Sequence, residues 1–196
     1  MVKKTLLVGI CVSVLLWAGA CGNDQTGPAN EDEITIELAN KTDQITIAFA
    51  LFYGPGLDEW GEDMLDDEVI EPGEEVSFVL PQETYTVIPM TYDYYVLPAA
   101  REISEDYRLE IGVEGEHPIL VTNDTETDIG RFYLSPTESE DWGEDWLGGE
   151  VIPAGISRFF FADPDTYDVL AIGIENETVL ESYEIEVESE KHFVID

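Results

Sequence analysis

Residues 34–53 read ITIELANKTDQITIAFALFY, and this stretch decides the fold. Ile34, Ile36 and Leu38 fall on one side of an extended chain, and Thr35 and Glu37 on the other. That is the two-residue period of a strand with one buried face. After Asn40-Lys41-Thr42 comes QITIAFALFY, a longer apolar strand. Downstream, EVSFVL places Val76, Phe78 and Leu80 together, and TYTVIPM, YYVLP and YRLEIGV continue the series. The pattern restarts after Gly115 with PILVT, IGRFYL, SRFFFA, TYDVLAIGI, VLESYEIEV and HFVI. No segment keeps a 3.6-residue period over three turns, so the chain is expected to be all-β.

The restart is an internal repeat. Asn40-Lys41-Thr42 answers to Asn123-Asp124-Thr125, and Thr84-Tyr85-Thr86-Val87 to Thr166-Tyr167-Asp168-Val169. Between these landmarks lie two related blocks, DEWGEDMLDDEVIEPG at 58–73 and EDWGEDWLGGEVIPAG at 140–155. The period is too long for a solenoid, and two copies are too few for a propeller. Two tandem small β-sandwich (Ig-like) domains are expected, residues 33–114 and 115–196, joined near Glu114–His117. One larger sandwich with internal pseudo-symmetry is the alternative.

The N-terminus has a different character. MVKK supplies Lys3 and Lys4, and TLLVGICVSVLLWAGA is a short apolar run, so residues 1–20 read as a secretory signal. Small residues Ala18, Gly19 and Ala20 stand directly before Cys21. This AGAC sequence resembles the lipobox of bacterial lipoproteins, a resemblance that implies lipidation at Cys21 and attachment to the cell membrane or outer membrane. Residues 21–32 are polar and read as a flexible tether. The chain's one other cysteine, Cys11, lies inside the signal. An acylated Cys21 therefore leaves no thiol for a disulfide or a thiolate metal site.

Forty-four Asp and Glu face eight Lys and Arg, a net charge of −36. Nucleic acid is thereby a poor partner, because no basic patch exists to release its counterions. Disorder is excluded by 44% apolar and 11% aromatic residues, enough to build a core. Self-repulsion on this scale weakens the fold at low ionic strength, which points to a saline or divalent-rich setting.

The second block, SPTESEDWGEDWLGGEVIPAG followed by a strand and TYDV, is similar to an uncharacterised secreted bacterial domain with an SPxxSxxWGEDxLG motif. The first copy matches more loosely, lacking the serines and the Gly148-Gly149 pair. The resemblance implies a β-fold and export, and it carries over no catalytic residues. None are expected from the sequence either. A nucleophilic enzyme needs a base beside its nucleophile. The two histidines, His117 near the junction and His192 in the last strand, are not repeated and lie in no serine elbow motif.

The acidic blocks raise two readings. Asp58, Glu59, Glu62 and Asp63, with Glu140, Asp141, Glu144 and Asp145, are candidate ligands for calcium, an oxygen-seeking ion. Alternatively each block is a short amphipathic helix capping the sandwich. Trp60 and Met64, or Trp142 and Trp146, would then face inward, with Ser139 as cap and Gly148 as terminator. The run at Tyr92, Tyr94 and Tyr95 supplies candidate binding aromatics, able to stack on sugars or anchor a protein. The expected function is a lipid-anchored, exported, non-enzymatic binding or surface-interaction module with a protein or glycan partner. A calcium-dependent structural or adhesion module is the alternative, and a hydrolase a distant one.

Overall fold

The computed structural model of the chain describes residues 3–6, 32–57 and 61–196. Cys21, nearly all of the expected tether, and Asp58, Glu59 and Trp60 of the first block lie outside the described residues. The strands are β1 (Lys3–Leu6), β2 (Glu33–Asn40), β3 (Phe49–Tyr53), β4 (Glu62–Asp63), β5 (Glu75–Pro81), β6 (Tyr85–Met90) and β7 (Ala100–Ile103). They continue with β8 (Tyr107–Ile111), β9 (His117–Asn123), β10 (Ile129–Pro136), β11 (Ser157–Ala162), β12 (Asp165–Gly173), β13 (Thr178–Val187) and β14 (Lys191–Ile195). No helix occurs among the described residues, and the chain is all-β.

The alternation of the opening stretch becomes burial. Ile34, Ile36 and Leu38 on β2 are buried, while Thr35 and Glu37 are only half so. Each such side chain contributes about 1.5–3 kcal/mol when removed from water. The two repeats then fold by one plan. In the first, β2 pairs antiparallel with β5 and parallel with β8. In the second, β9 pairs antiparallel with β11 and parallel with β14. Facing these are β3-β6-β7 in the first copy and β10-β12-β13 in the second.

The copies are not merely adjacent. Val96 bridges Met90 on one side and Arg158 of β11 on the other. Its N–H donates to Ser157 O (2.9 Å), and its carbonyl accepts from Phe159 N (2.8 Å). Through this link β4-β3-β6-β7 runs on into β11-β9-β14 as one continuous sheet. The sheet β5-β2-β8 covers one face of it at the first repeat. The sheet β10-β12-β13 covers the other face at the second.

That stagger accounts for the aromatic density of SRFFFA. Phe160 and Ala162 enter the second repeat's core with Phe132, Val169 and Ile119. Phe159, from the opposite face of β11, is buried with Leu120 in the first repeat's core beside Phe52, Phe78 and Leu97, and Phe161 packs against it. A strand buried on both faces loses its polar alternation.

Two repeated landmarks tie each copy. Asn40 and Asn123 are completely buried, yet their side chains are hydrogen-bonded. Asn40 Nδ2 donates to Ile45 O (2.7 Å) and Ile70 O (2.9 Å), and its Oδ1 accepts from Thr42 N and Oγ1. Asn123 repeats this with Thr127 O and Ile152 O (both 2.8 Å) and with Thr125. Tyr85 and Tyr167 each donate their hydroxyl to a carbonyl four residues upstream, Pro81 O and Asp163 O, at 3.1 Å. This is the geometry of a tyrosine corner. Burial, reinforced by Glu83 for Tyr85 and by Asp165, Asp163 and Glu116 for Tyr167, raises both phenols' pKa.

Within the expected signal segment, the backbone of Lys3–Leu6 pairs antiparallel with β5, from Lys3↔Val79 to Leu6↔Val76. It completes an edge whose N–H and C=O groups are open to pairing.

Candidate functional site

The acidic blocks hold the candidate calcium ligands. The expected helix is absent among the described residues of both blocks. In its place the first copy has the two-residue strand β4 and a turn, and the second has turns alone. The glycine of Trp-Gly-Glu-Asp is the reason: Gly61 and Gly143 have φ of 86° and 69°, outside the helical region. The aspartate three residues after the tryptophan then organises the loop. Asp63 Oδ1 accepts from Ala50 N (3.0 Å) and Leu65 N (3.1 Å). Asp145 Oδ1 accepts from Phe132 N and Leu147 N at the same distances. These bonds pin Leu65 and Leu147 into the cores below. Ser139, the expected cap, bonds to Asp141 instead: its Oγ donates to Asp141 O and accepts from Asp141 N.

The remaining described block carboxylates do not converge. Asp141 Oδ1 accepts from Gly143 N (3.1 Å), while Glu62, Glu140 and Glu144 are exposed. Among the described residues no group of three His, Cys, Asp or Glu side chains is placed to hold a metal.

The tyrosine run separates into two environments. Residues 91–95 form a hairpin turn in which Tyr94 N donates to Thr91 O (3.0 Å) and Thr91 N to Tyr95 O (3.1 Å). Tyr92 and Tyr94 stand at its tip, more than 60% exposed. Tyr94 has φ 61°, a costly conformation for a bulky residue. Its ring lies flat on Phe49, centroids 5.0 Å apart and planes 12° from parallel. Tyr95 does not join this surface: it turns toward the first core and meets Phe159 edge-on.

His192 Nε2 lies 2.8 Å from Thr122 Oγ1, which is itself 2.8 Å from Ser157 Oγ. The three side chains cross-link β14, β9 and β11. Among the described residues no carboxylate bonds to the imidazole's other nitrogen, the partner a base would need to be oriented.

The site that sequence reasoning missed is the cleft at the step between the two sandwiches. Its volume is about 800 Å³, and one wall is the outer face of β3 and β6, with Leu51, Tyr53, Ile88 and Met90. The second repeat's segment 148–156 forms the other wall, where Val151 and Ile156 are exposed apolar residues. Phe49, cross-strand partner of Met90, extends the first wall to Tyr94.

Charge is concentrated here. Glu150 binds Arg101 Nε of β7 through one carboxylate oxygen and Arg158 Nη1 of β11 through the other. Arg158 is 14% exposed in its side chain, and its guanidinium lies 5.5 Å above the Phe160 ring. Its Nε is buried and has no hydrogen-bond partner among the described residues. Burial alone would raise the Glu150 pKa, but the two guanidinium groups outweigh it and hold the carboxyl below its ordinary value. By the repeat's 82-residue offset, the position of Arg158 is held by Val76 in the first copy. A lone cation inside the apolar SRFFFA run was the one sequence signal of this cluster.

No family model matches the chain, and no curated protein matches it. Among solved structures, a match is the crystal structure of CBMbc (family CBM26) from Eubacterium rectale Amy13K in complex with maltoheptaose. It is 12% identical, with a TM-score of 0.29 over 82% of this chain and 91% of that one.

Proposed function

We propose that this protein is an exported, lipid-anchored binding module without catalytic activity of its own, and that its ligand, a protein or a glycan, occupies the cleft between the repeats. The observation carrying this reading is the cleft itself. It joins an apolar sheet face, half-exposed among the described residues, to the Arg101–Glu150–Arg158 cluster, in a chain otherwise dominated by carboxylates. A concave, largely apolar cavity with a few fixed polar groups is the usual form of a ligand site.

Attachment through Cys21, which follows Ala18-Gly19-Ala20, would place the cleft outside the cytoplasm and tether it to a membrane. Two carboxylates of the calcium reading, Asp63 and Asp145, serve as acceptors for backbone N–H groups. That use favours a structural role for the blocks.

The reading is tested in two parts. Cells expressing the chain and its Cys21→Ala variant are fed a labelled fatty acid; labelling of both or neither removes the anchor. Separately, the chain and an Ile88→Asp variant are screened against glycans and against surface proteins of the producing cell. Ligands bound equally by the two remove the cleft as the site.

A further inference from the structure

We infer that the cleft's ligand is a neutral, linear oligosaccharide lying along the outer face of β3, which rests on the cleft being the binding site. Three observations converge. The first is the Tyr94–Phe49 stack, which presents a flat, exposed aromatic face at one end of the strand. Tyr94 keeps this place although its φ of 61° favours glycine, and an aromatic held there against backbone cost has a use beyond the turn. Such a face receives the apolar C–H side of a pyranose ring.

The second is the polar set along the cleft. Sugar hydroxyls are each donor and acceptor, and they are bound best where both partners stand in fixed geometry. Glu150 supplies acceptors and Arg101 supplies donors, and their mutual ion pair holds both in place. From Phe49 to Tyr53 the strand runs about 13 Å, enough to span more than one ring.

The third is charge. A polyanionic glycan approaching a chain of net −36 meets long-range repulsion that a neutral one does not. A stable protein partner needs an interface of roughly 1,000 Å² or more, whereas this surface is a single concavity of about 800 Å³.

Titration calorimetry on the full chain in detergent tests the assignment. The probes are a panel of neutral linear oligosaccharides and a panel of oligouronates. At least one neutral probe is expected to bind, with affinity reduced about tenfold in Tyr94→Gly and in Arg101→Gln. Tyr94→Gly removes the ring while relaxing the backbone, so a folded variant is expected, and circular dichroism verifies it. Tyr183→Ala, which removes an exposed ring on β13, leaves binding unchanged. Absence of binding by every neutral probe overturns the inference, as does tighter binding of the oligouronates. A protein ligand lost in Ile88→Asp, with no sugar bound, overturns the sugar and leaves the cleft standing. Sugar binding indifferent to Tyr94, Arg101 and Ile88 overturns both.

Discussion

Glu150 of the second repeat grips Arg101 of the first, and the same carboxylate holds Arg158 on the strand that joins the two copies. The contact spans the cleft's rim, so it ties the orientation of the repeats to the shape of the site. Removing the carboxylate leaves Arg158 largely buried without a counter-charge. Glu150→Gln is expected to cost about 2 kcal/mol, less than a fully buried pair because Arg101 and part of Glu150 reach solvent. Since the folded Glu150 pKa is lowered, its stabilisation is complete above the ordinary carboxylate value and is lost as pH falls through the folded one. Denaturant midpoints of wild type and variant should therefore differ at pH 7 and converge only as pH falls below the lowered folded value.

The block aspartates give a second prediction. Asp145→Ala removes the acceptor for Phe132 N and Leu147 N and should destabilise by about 1.5–3 kcal/mol. Asp145→Asn keeps an oxygen in the same place and should recover most of the loss. In 0.5 M sodium chloride, where the surface charge is already screened, calcium and chelator should leave the melting temperature of all three proteins alone. A rise with calcium that Asp145→Asn abolishes would instead establish the metal reading.

Asn123→Ala strips partners from two carbonyls and a Thr125 N–H in a fully buried site. A loss of about 3 kcal/mol is expected, and the same from Asn40→Ala, since the two bond networks match. Thermal unfolding measures both. A markedly smaller loss at either would show that its network is not a main tie of its repeat.

Salt acts on the whole surface. With 44 carboxylates against eight cations, raising sodium chloride from 10 mM to 0.5 M should raise the melting temperature by several degrees. A flat salt series would show that the acidic surface does not oppose folding.

Much of this fold was legible because its signals are local. The alternation of Ile34, Ile36 and Leu38 needs only a two-residue period, and Tyr85 and Tyr167 announce themselves by recurring at a fixed offset. The helix at the blocks was misread because Trp142 and Trp146 stand four apart, a spacing that suits a helix and tolerates a loop. Gly143, with its positive φ, decided against the helix. The site was illegible for a different reason. It depends on Val96 meeting Arg158, residues far apart in sequence whose pairing no local pattern encodes. Tyr95 shows the same limit, since its burial depends on Phe159 from the other repeat.

The central claim is that ligand binds in the cleft between the repeats. Methyl-labelled protein observed by NMR during titration with a neutral oligosaccharide pool tests it most directly. The account predicts shifts confined to Leu51, Ile88, Met90, Val151 and Ile156, the apolar lining of the two walls. Shifts centred on β13, away from both walls, would contradict it.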